Sequence, residues 1–296
     1  MIGRLELTLA VLFWAGNYAV GRVIADEISP VTLTFLRWAI ALVLLFPFAV
    51  LRLSASIRLV REHLGWFVGM SLTAVILHPI LIYTALNYTT ATNMALIIAA
   101  TPAMMLVLSA LLHGQRYGLF RITVVSMSFV AISILVWSGL SAPNGGDLIG
   151  CLAMVIWAYY NISLRECPVA VDGITFTTAI IIIGIVFMTP LFIAELALGE
   201  PLRFSNDVTL AVLYVGLFAS GLAHLLWNRG VVKVGPIQAG QFMNLVPIFG
   251  VLIGTFILNE HFSRRHALAA ALIVISLLLS ELQGMRKPSS VLPGGS

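Results

Sequence analysis

Two short stretches of this sequence each place aromatic and amide side chains on one helical face. In the first stretch, Trp14, Asn17 and Tyr18 follow one another at i, i+3 and i+4, and this spacing puts side chains on the same side of an α-helix. The second stretch repeats the spacing with Trp157, Tyr160 and Asn161. Such faces suit a site that stacks on an apolar group and hydrogen-bonds a polar one, although close packing between helices uses the same residue types.

Further polar side chains in apolar surroundings extend this candidate binding site. His78 precedes Pro79, whose ring frees a nearby backbone carbonyl, and His224 shares a helical face with Trp227 and Asn228. Each imidazole can either bond a neighbouring helix or line a cavity and titrate there. Two amides three residues apart, able to face the same cavity, complete the predicted set: Gln241 and Asn244.

The composition determines the kind of element that must position these residues. Hydrophobic residues make up 60% of the 296 residues and charged residues only 9%, whereas a soluble domain has roughly 25% charged residues. The apolar runs are about 20 residues long and show no alternation with period two. The sequence therefore predicts an all-α integral membrane protein rather than a barrel, with the lipid bilayer as its surroundings.

We predict ten transmembrane helices joined by short connections that leave no room for a soluble domain. Turn-forming residues such as Ser29-Pro30 and Gly235-Pro236 separate the apolar runs. The predicted spans lie near residues 7–24, 31–51, 64–86, 92–112, 119–138, 148–164, 175–194, 208–228, 236–258 and 266–282.

The placement of the basic residues predicts the orientation. If the N-terminus is cytoplasmic, most of the 16 Lys and Arg residues fall on the cytoplasmic side, as the positive-inside rule requires. We therefore expect both termini in the cytoplasm of a bacterial cell, with the chain in the inner (plasma) membrane. Arg264 and Arg265 run against the rule.

The halves of the chain correspond to one another, which predicts a duplication. Pro102 corresponds to Pro247, and His78 to His224, at nearly equal offsets. Because five spans per half is an odd number, the second half must cross the membrane in the inverted orientation. We predict one five-helix repeat over residues 1–140, a second inverted repeat over 141–285, and a flexible tail over 286–296.

An ordered set of motifs over about residues 5–282 resembles the drug/metabolite transporter superfamily, in particular its EamA family. The motifs are Trp14-Ala15-Gly16-Asn17, the stretch 29–37 that leads into the second helix, Pro102, the stretch 150–160 and the stretch 247–260. The resemblance implies a ten-helix carrier of metabolites, and the overall pattern is most similar to that of a bacterial exporter of aromatic amino acids. The sequence departs from the family at Gln115, where a Glu is common.

The polar residues inside the predicted spans favour a transporter over other classes. No Asp or Glu lies at mid-span, so we expect facilitated diffusion by alternating access, with a histidine-mediated proton step as the alternative. No phosphate loop, metal-ligand cluster or nucleophile triad is present, so we expect no cofactor, no metal and no enzymatic activity. A carrier of nucleotide sugars or phosphate esters stays open, but such cargo favours several buried cations, and only Arg37 is available. A lipid flippase stays open too.

The role of Arg37 can be interpreted in two ways: it either holds helices together or attracts the carboxylate of a substrate. Bulky or neutral amino acids are the expected small-molecule partners, and no nucleic-acid partner is expected. The Gly-x-x-x-Gly pairs at Gly65 and Gly69 and at Gly250 and Gly254 allow close helix approach, within a monomer more readily than between subunits.

Overall fold

In a computed structural model, the chain is helical and no β-strand occurs in its described parts, which are residues 2–24, 27–89, 91–136, 142–198, 205–257 and 264–286. The all-α prediction is therefore confirmed. The predicted boundary between residues 140 and 141 and nearly all of the predicted tail lie outside these ranges.

The described part of the first half contains seven α-helices. Helix α3 continues through a π-helical segment, Leu72–Leu77, directly into α4. The helices are α1 (Ile2–Val23), α2 (Pro30–Glu62), α3 (Leu64–Ser71), α4 (His78–Tyr88), α5 (Ala91–Ala99), α6 (Thr101–His113) and α7 (Leu119–Val136).

Seven α-helices also make up the described second half. Helix α8 ends in a 3₁₀ turn, Leu164–Glu166, and α10 continues through a second π-helical segment, Val215–Leu222, into α11. The helices are α8 (Gly145–Ser163), α9 (Gly173–Leu198), α10 (Asn206–Tyr214), α11 (Ala223–Val234), α12 (Pro236–Met243), α13 (Leu245–Ile257) and α14 (Arg264–Arg286).

Side-chain caps fix where several helices begin. The Ser29 hydroxyl accepts a hydrogen bond from the Thr32 N–H at 3.1 Å, and Pro30 occupies the first helical position, where its missing N–H costs nothing. The Asp172 carboxylate accepts bonds from the backbone N–H groups of Ile174 and Thr175 at 3.1 and 3.2 Å. Helices α2 and α9 therefore both begin with a side-chain N-cap.

The second helix is longer than predicted. We expected it to end near residue 51, but α2 continues to Glu62. The added stretch contains no Gly or Pro, and it holds an i, i+4 ion pair in which Arg58 Nε lies 2.8 Å from Glu62 Oε1. The predicted span ended with the apolar run, whereas the helix itself continues as a mostly exposed, charged extension.

Several of the predicted apolar spans are broken or distorted helices. The pair α5 and α6 bends by 43° at Ala100, just before Pro102, and the pair α12 and α13 breaks at Asn244, just before Pro247. The first π-helical segment precedes Pro79, whose ring would clash with the carbonyl of the residue four positions earlier in a regular α-helix. Prolines therefore account for three of the irregularities, and the second π-helical segment has no proline.

Helices from the two halves pack against each other rather than forming separate bundles. Helix α1 packs along α11, α2 along α9 and the segment Val215–Leu222, and α4 along α8. The closest approaches use glycine. A Cβ at Gly184 would lie 2.3 Å from Val75, and a Cβ at Gly216 would lie 2.6 Å from Ile40. The interior is consequently shared by both halves.

The outer surface is apolar, as a membrane requires. Large hydrophobic side chains such as Leu51, Leu111, Leu119 and Leu198 are exposed around the outside. Among the described residues, six helices are long and apolar enough to cross a bilayer, and a seventh span results if the bent pair α5 and α6 is one span. Shorter apolar helices occur at Leu119–Ile134 and Ala267–Ser280. The chain is a multi-pass membrane protein.

Candidate functional site

A cavity lies in the interior, with walls from α1, α2, α4, α8, α11 and α12. Its empty volume is about 420 Å³, counting the space that is open to solvent. None of the described side chains that line it is acidic. The lining residues are Trp14, Asn17, Arg37, His78, Pro79, Ile82, Tyr83, Trp157, His224 and Met243.

Arg37 supplies the only formal charge among these lining residues. Its side chain is 4% exposed, and it forms no ion pair within the described ranges. Its Nε donates to the Ser220 hydroxyl at 2.5 Å, and one terminal nitrogen donates to the Tyr83 hydroxyl at 2.7 Å. The Tyr83 hydroxyl in turn donates to Asn17 Oδ1 at 3.3 Å. The guanidinium is thus fixed by neutral partners from two helical elements, α4 and the second π-helical segment, and Asn17 of α1 in turn holds Tyr83.

The second π-helical segment presents one carbonyl to several donors. The Ala219 carbonyl accepts from Trp14 Nε1 at 2.8 Å and lies 3.1 Å from His224 Nδ1. Because a carbonyl only accepts, the hydrogen in this contact lies on Nδ1, and whenever the ring is neutral, Nε2 then has a free lone pair. This Nε2 is buried and has no hydrogen-bond partner among the described residues.

Much of the cavity lining is an aromatic cluster that contacts the His224 ring. The His78 and Trp157 rings stack with centroids 4.7 Å apart, and the Trp14 ring meets Trp157 edge to face at 5.5 Å. His78 Nε2 and Trp157 Nε1 are buried without a partner in the described structure. Buried polar atoms are normally satisfied, so these two nitrogens lack the partner that such atoms usually have.

A second layer supports the Trp157 wall without lining the cavity. The Tyr160 hydroxyl donates to Asn228 Oδ1 at 2.6 Å, and Asn228 Nδ2 donates to the Thr177 hydroxyl at 3.0 Å. Trp227 Nε1 donates to Asn161 Oδ1 at 2.7 Å. Asn161 Nδ2 also donates to the Trp157 carbonyl, so this residue holds the wall in place. The amides here already have their partners, which is why their predicted role as direct ligands gains no support from the geometry.

Three other predicted site residues lie elsewhere or cannot be placed. Gln241 is turned toward α7 and α14, where its Oε1 accepts from the Ser128 hydroxyl at 2.8 Å. Asn244 is buried at the break between α12 and α13, its amide atoms have no partner in the described part of the chain, and it is not among the lining residues. The side chain of Tyr18 lies outside the described residues.

The sequence contained a signal for residues that we had not included. Ile82 follows His78 at i+4 and Tyr83 follows Pro79 at i+4, so each shares a helical face with a residue that the sequence had already singled out. Trp38 is buried beside His224, with ring centroids 4.7 Å apart, and its Nε1 has no partner among the described residues. Within the described ranges, no group of His, Cys, Asp and Glu has the arrangement of a metal site.

The fold is that of a multi-pass membrane protein with an interior cavity, and the comparisons identify its family. The chain belongs to the EamA-like transporter family, whose model matches residues 1–137 and again residues 144–282. It is an EamA-family membrane transporter.

Relatives with similar sequences are also transporters. The chain is 26% identical to an uncharacterized transporter of Archaeoglobus fulgidus, over 87% of this chain and 89% of the relative. It is 24% identical to the uncharacterized inner membrane transporter YedA of Escherichia coli K12, over 92% and 88%. A solved crystal structure of a protein that is 18% identical has a TM-score of 0.75, covers 96% of this chain and 98% of its own, and supports the fold.

Proposed function

We propose that this transporter exports bulky neutral amino acids, aromatic ones in particular, and related metabolites across a bacterial inner membrane. The observation that carries the proposal is the cavity between the two halves, whose lining combines the Trp14 and Trp157 rings with the polar groups of Arg37 and His224. Indole walls bind large apolar side chains, and a few fixed polar groups orient a head group. The overall sequence pattern also resembles that of the bacterial aromatic amino-acid exporter YddG.

Alternating access by two inverted repeats is the proposed mechanism. Each half carries a π-helical segment just before a histidine, namely Leu72–Leu77 before His78 and Val215–Leu222 before His224. Each half also breaks a helix near the matching prolines Pro102 and Pro247. The two matches of the family model, one in each half, support the same duplication. Two equivalent halves can exchange inward-open and outward-open shapes around a fixed central site.

The orientation is part of the proposal. The charged extension of α2 carries Arg52, Arg58 and Arg61 on exposed helix, which suits the cytoplasmic side of the membrane. The N-terminus and the C-terminus then lie in the cytoplasm, and the inner-membrane relative YedA supports the location. Reporter fusions at both ends test it, since a periplasmic C-terminus would remove the basis for inverted halves.

The mode of transport is facilitated diffusion in this proposal. No Asp or Glu is among the described side chains that line the cavity, so a carboxylate proton relay is unsupported there. The partnerless Nε2 of His224 keeps a histidine-mediated proton step as the second candidate. Carriage of a nucleotide sugar or phosphate ester has less support, because the cavity offers one cation rather than several.

Uptake into liposomes of purified protein tests the proposal. A panel of labelled amino acids, with and without imposed proton and sodium gradients, is expected to show equilibration of aromatic substrates and no uphill accumulation. Strong accumulation driven by the proton gradient, abolished in His224→Ala, would favour the proton-coupled alternative. Equal permeability of empty and protein-containing liposomes to every amino acid would contradict the function.

A further inference from the structure

Arg37 is a buried cation whose described partners are all neutral. Placing a charge in the membrane interior without a counter-ion is costly, and buried arginines are usually paired with an acidic group. Here the hydrogen-bond partners are the Ser220 hydroxyl, the Tyr83 hydroxyl and the Ala219 carbonyl. These fix the position of the guanidinium but leave its charge without an anion in the described structure.

The guanidinium also keeps donors for a ligand. It has five N–H groups, and three take part in the contacts just described, of which the bond from Nη2 to the Ala219 carbonyl is long at 3.5 Å. One N–H on each terminal nitrogen is left. Two parallel N–H groups on the terminal nitrogens are the arrangement that binds a carboxylate in a bidentate manner. The Trp38 and Tyr83 rings, with centroids 5.4 and 5.7 Å from the guanidinium carbon, hold the side chain in place.

The same cavity offers an ammonium group only neutral acceptors among its described lining residues. These include Asn17 Oδ1, which already accepts one bond from Tyr83, and the Nε2 lone pair of the neutral His224 ring. No described lining side chain is acidic, and Arg37 itself repels a second positive charge. The described lining therefore offers a charged partner to an anion but none to a cation.

We propose that this carrier recognises its cargo by a carboxylate bound to Arg37 and does not require the α-ammonium group. The inference rests on the proposed function and sharpens it. The cargo class becomes aromatic and bulky aliphatic carboxylates, including those without an amino group. An aromatic acid that is a net anion then competes at least as well as the corresponding zwitterionic amino acid.

Three ligands that differ only in their charged groups provide the test. These are phenylalanine, 3-phenylpropanoate without the ammonium group, and phenethylamine without the carboxylate. The full-length protein in liposomes is assayed for uptake of labelled phenylalanine and of labelled 3-phenylpropanoate, and for inhibition of each by the other ligands. We expect 3-phenylpropanoate to inhibit at least as strongly as phenylalanine, and phenethylamine to be about tenfold weaker or worse.

Two variants separate recognition from a purely structural role of Arg37. In Arg37→Gln, the ratio between the inhibition constants of phenethylamine and 3-phenylpropanoate is expected to fall toward one. A structural tie would instead weaken every ligand equally and leave the ratio unchanged. Tyr83→Phe provides a second test if Arg37→Gln does not fold, because it removes only one of the guanidinium's partners. It should reduce the ratio of the phenethylamine and 3-phenylpropanoate inhibition constants by a few fold.

The possible failures are distinguishable. If phenylalanine is transported while 3-phenylpropanoate neither inhibits nor is transported, the inference is wrong and the proposed function stands. If 3-phenylpropanoate is transported and phenylalanine is not, the inference stands and the amino-acid cargo is wrong. Inhibition by phenethylamine as strong as that by 3-phenylpropanoate overturns the inference, and absence of transport for both acids overturns both proposals.

Discussion

The two π-helical segments have the same backbone geometry but different surroundings. Next to Leu72–Leu77, the Ser71 hydroxyl donates to the Ile180 carbonyl at 2.7 Å, and α9 presents apolar side chains. Next to Val215–Leu222, the Ser220 hydroxyl accepts from Arg37 at 2.5 Å, and the Ala219 carbonyl receives Trp14. The backbone distortion is therefore common to both halves, whereas direct contacts of the segment with Arg37 and Trp14 belong to the second one. Under the proposed function, Arg37 orients the polar group of a ligand, and the second segment holds Arg37 directly.

The largest effect, on thermal stability, is expected from variants that disrupt the close helix approach at each of the two segments. Gly184→Val places a branched side chain against Val75, and Gly216→Val does the same against Ile40, where a Cβ alone would lie 2.3 and 2.6 Å away. Overpacking of this kind costs about 1–3 kcal/mol. We expect both variants to lose thermal stability in detergent.

A glycine with open space around it serves as the control for this pair. Gly69→Val lies where a Cβ meets nothing within 4 Å and should change stability far less. Equal losses in Gly69→Val, Gly184→Val and Gly216→Val would show that helix propensity, and not packing against the segments, determines the effect.

The next-largest effect is a difference between Ser220 and Ser71 in their influence on inhibition by carboxylates. Ser220→Ala removes the partner of the Arg37 Nε, and bonds to charged groups are the stronger ones, so carboxylate inhibition of uptake should weaken by about tenfold. Ser71→Ala removes a bond to a carbonyl far from any described charge and should leave inhibition constants nearly unchanged. Competition assays on both variants provide the measurement, and similar changes in the two would contradict the asymmetry.

The smallest effect concerns the caps of α2 and α9. Partial burial raises the pKa of the Asp172 carboxyl. Hydrogen bonds from the Thr175 hydroxyl and from the N–H groups of Thr175 and Ile174, with the charge of Arg52, outweigh this and hold the pKa below its ordinary value. A lowered pKa means that the ionised cap stabilises the fold above the ordinary pKa and that this contribution is lost as the pH falls through the lowered value.

Replacement of either cap by alanine should lower the free energy of unfolding by about 1 kcal/mol at neutral pH. The loss in Asp172→Ala should shrink as the pH is lowered through the acidic range, whereas the loss in Ser29→Ala should not change, because a hydroxyl does not titrate there. Thermal melts at several pH values measure both. A Ser29→Ala loss that also shrinks in acid would rule out the carboxyl as the cause.

The membrane class, the helical content and most spans could be predicted because long apolar runs and turn residues act locally. The end of α2 could not, since hydropathy reports where an apolar run ends, and the helix continues past that point to Glu62. The π-helical segments were missed because they change the hydrogen-bond register without changing the composition. Pro79 was a signal for the first, while the second, around Ala219, has none of this kind.

The candidate site was predictable in part. Trp14, Asn17, His78, Trp157 and His224 line one cavity, since helical spacing and burial in an apolar run are local properties. Whether an amide is a ligand or a support depends on partners from distant helices. Asn161 and Asn228 have such partners, and Gln241 accepts a hydrogen bond from Ser128. Spacing along the sequence does not reveal these partners.

The most direct test of the central claim, that the cavity between the halves binds the cargo, is the substrate selectivity of Trp157→Ala. Trp157 is 1% exposed and forms the aromatic wall, so its loss should reduce phenylalanine transport in liposomes several-fold more than threonine transport. Trp66→Ala, which removes an indole that packs on Phe67 and Phe176 away from the cavity, should leave the ratio of the two rates unchanged. Well-folded Trp157→Ala protein with an unchanged phenylalanine-to-threonine ratio would contradict the claim.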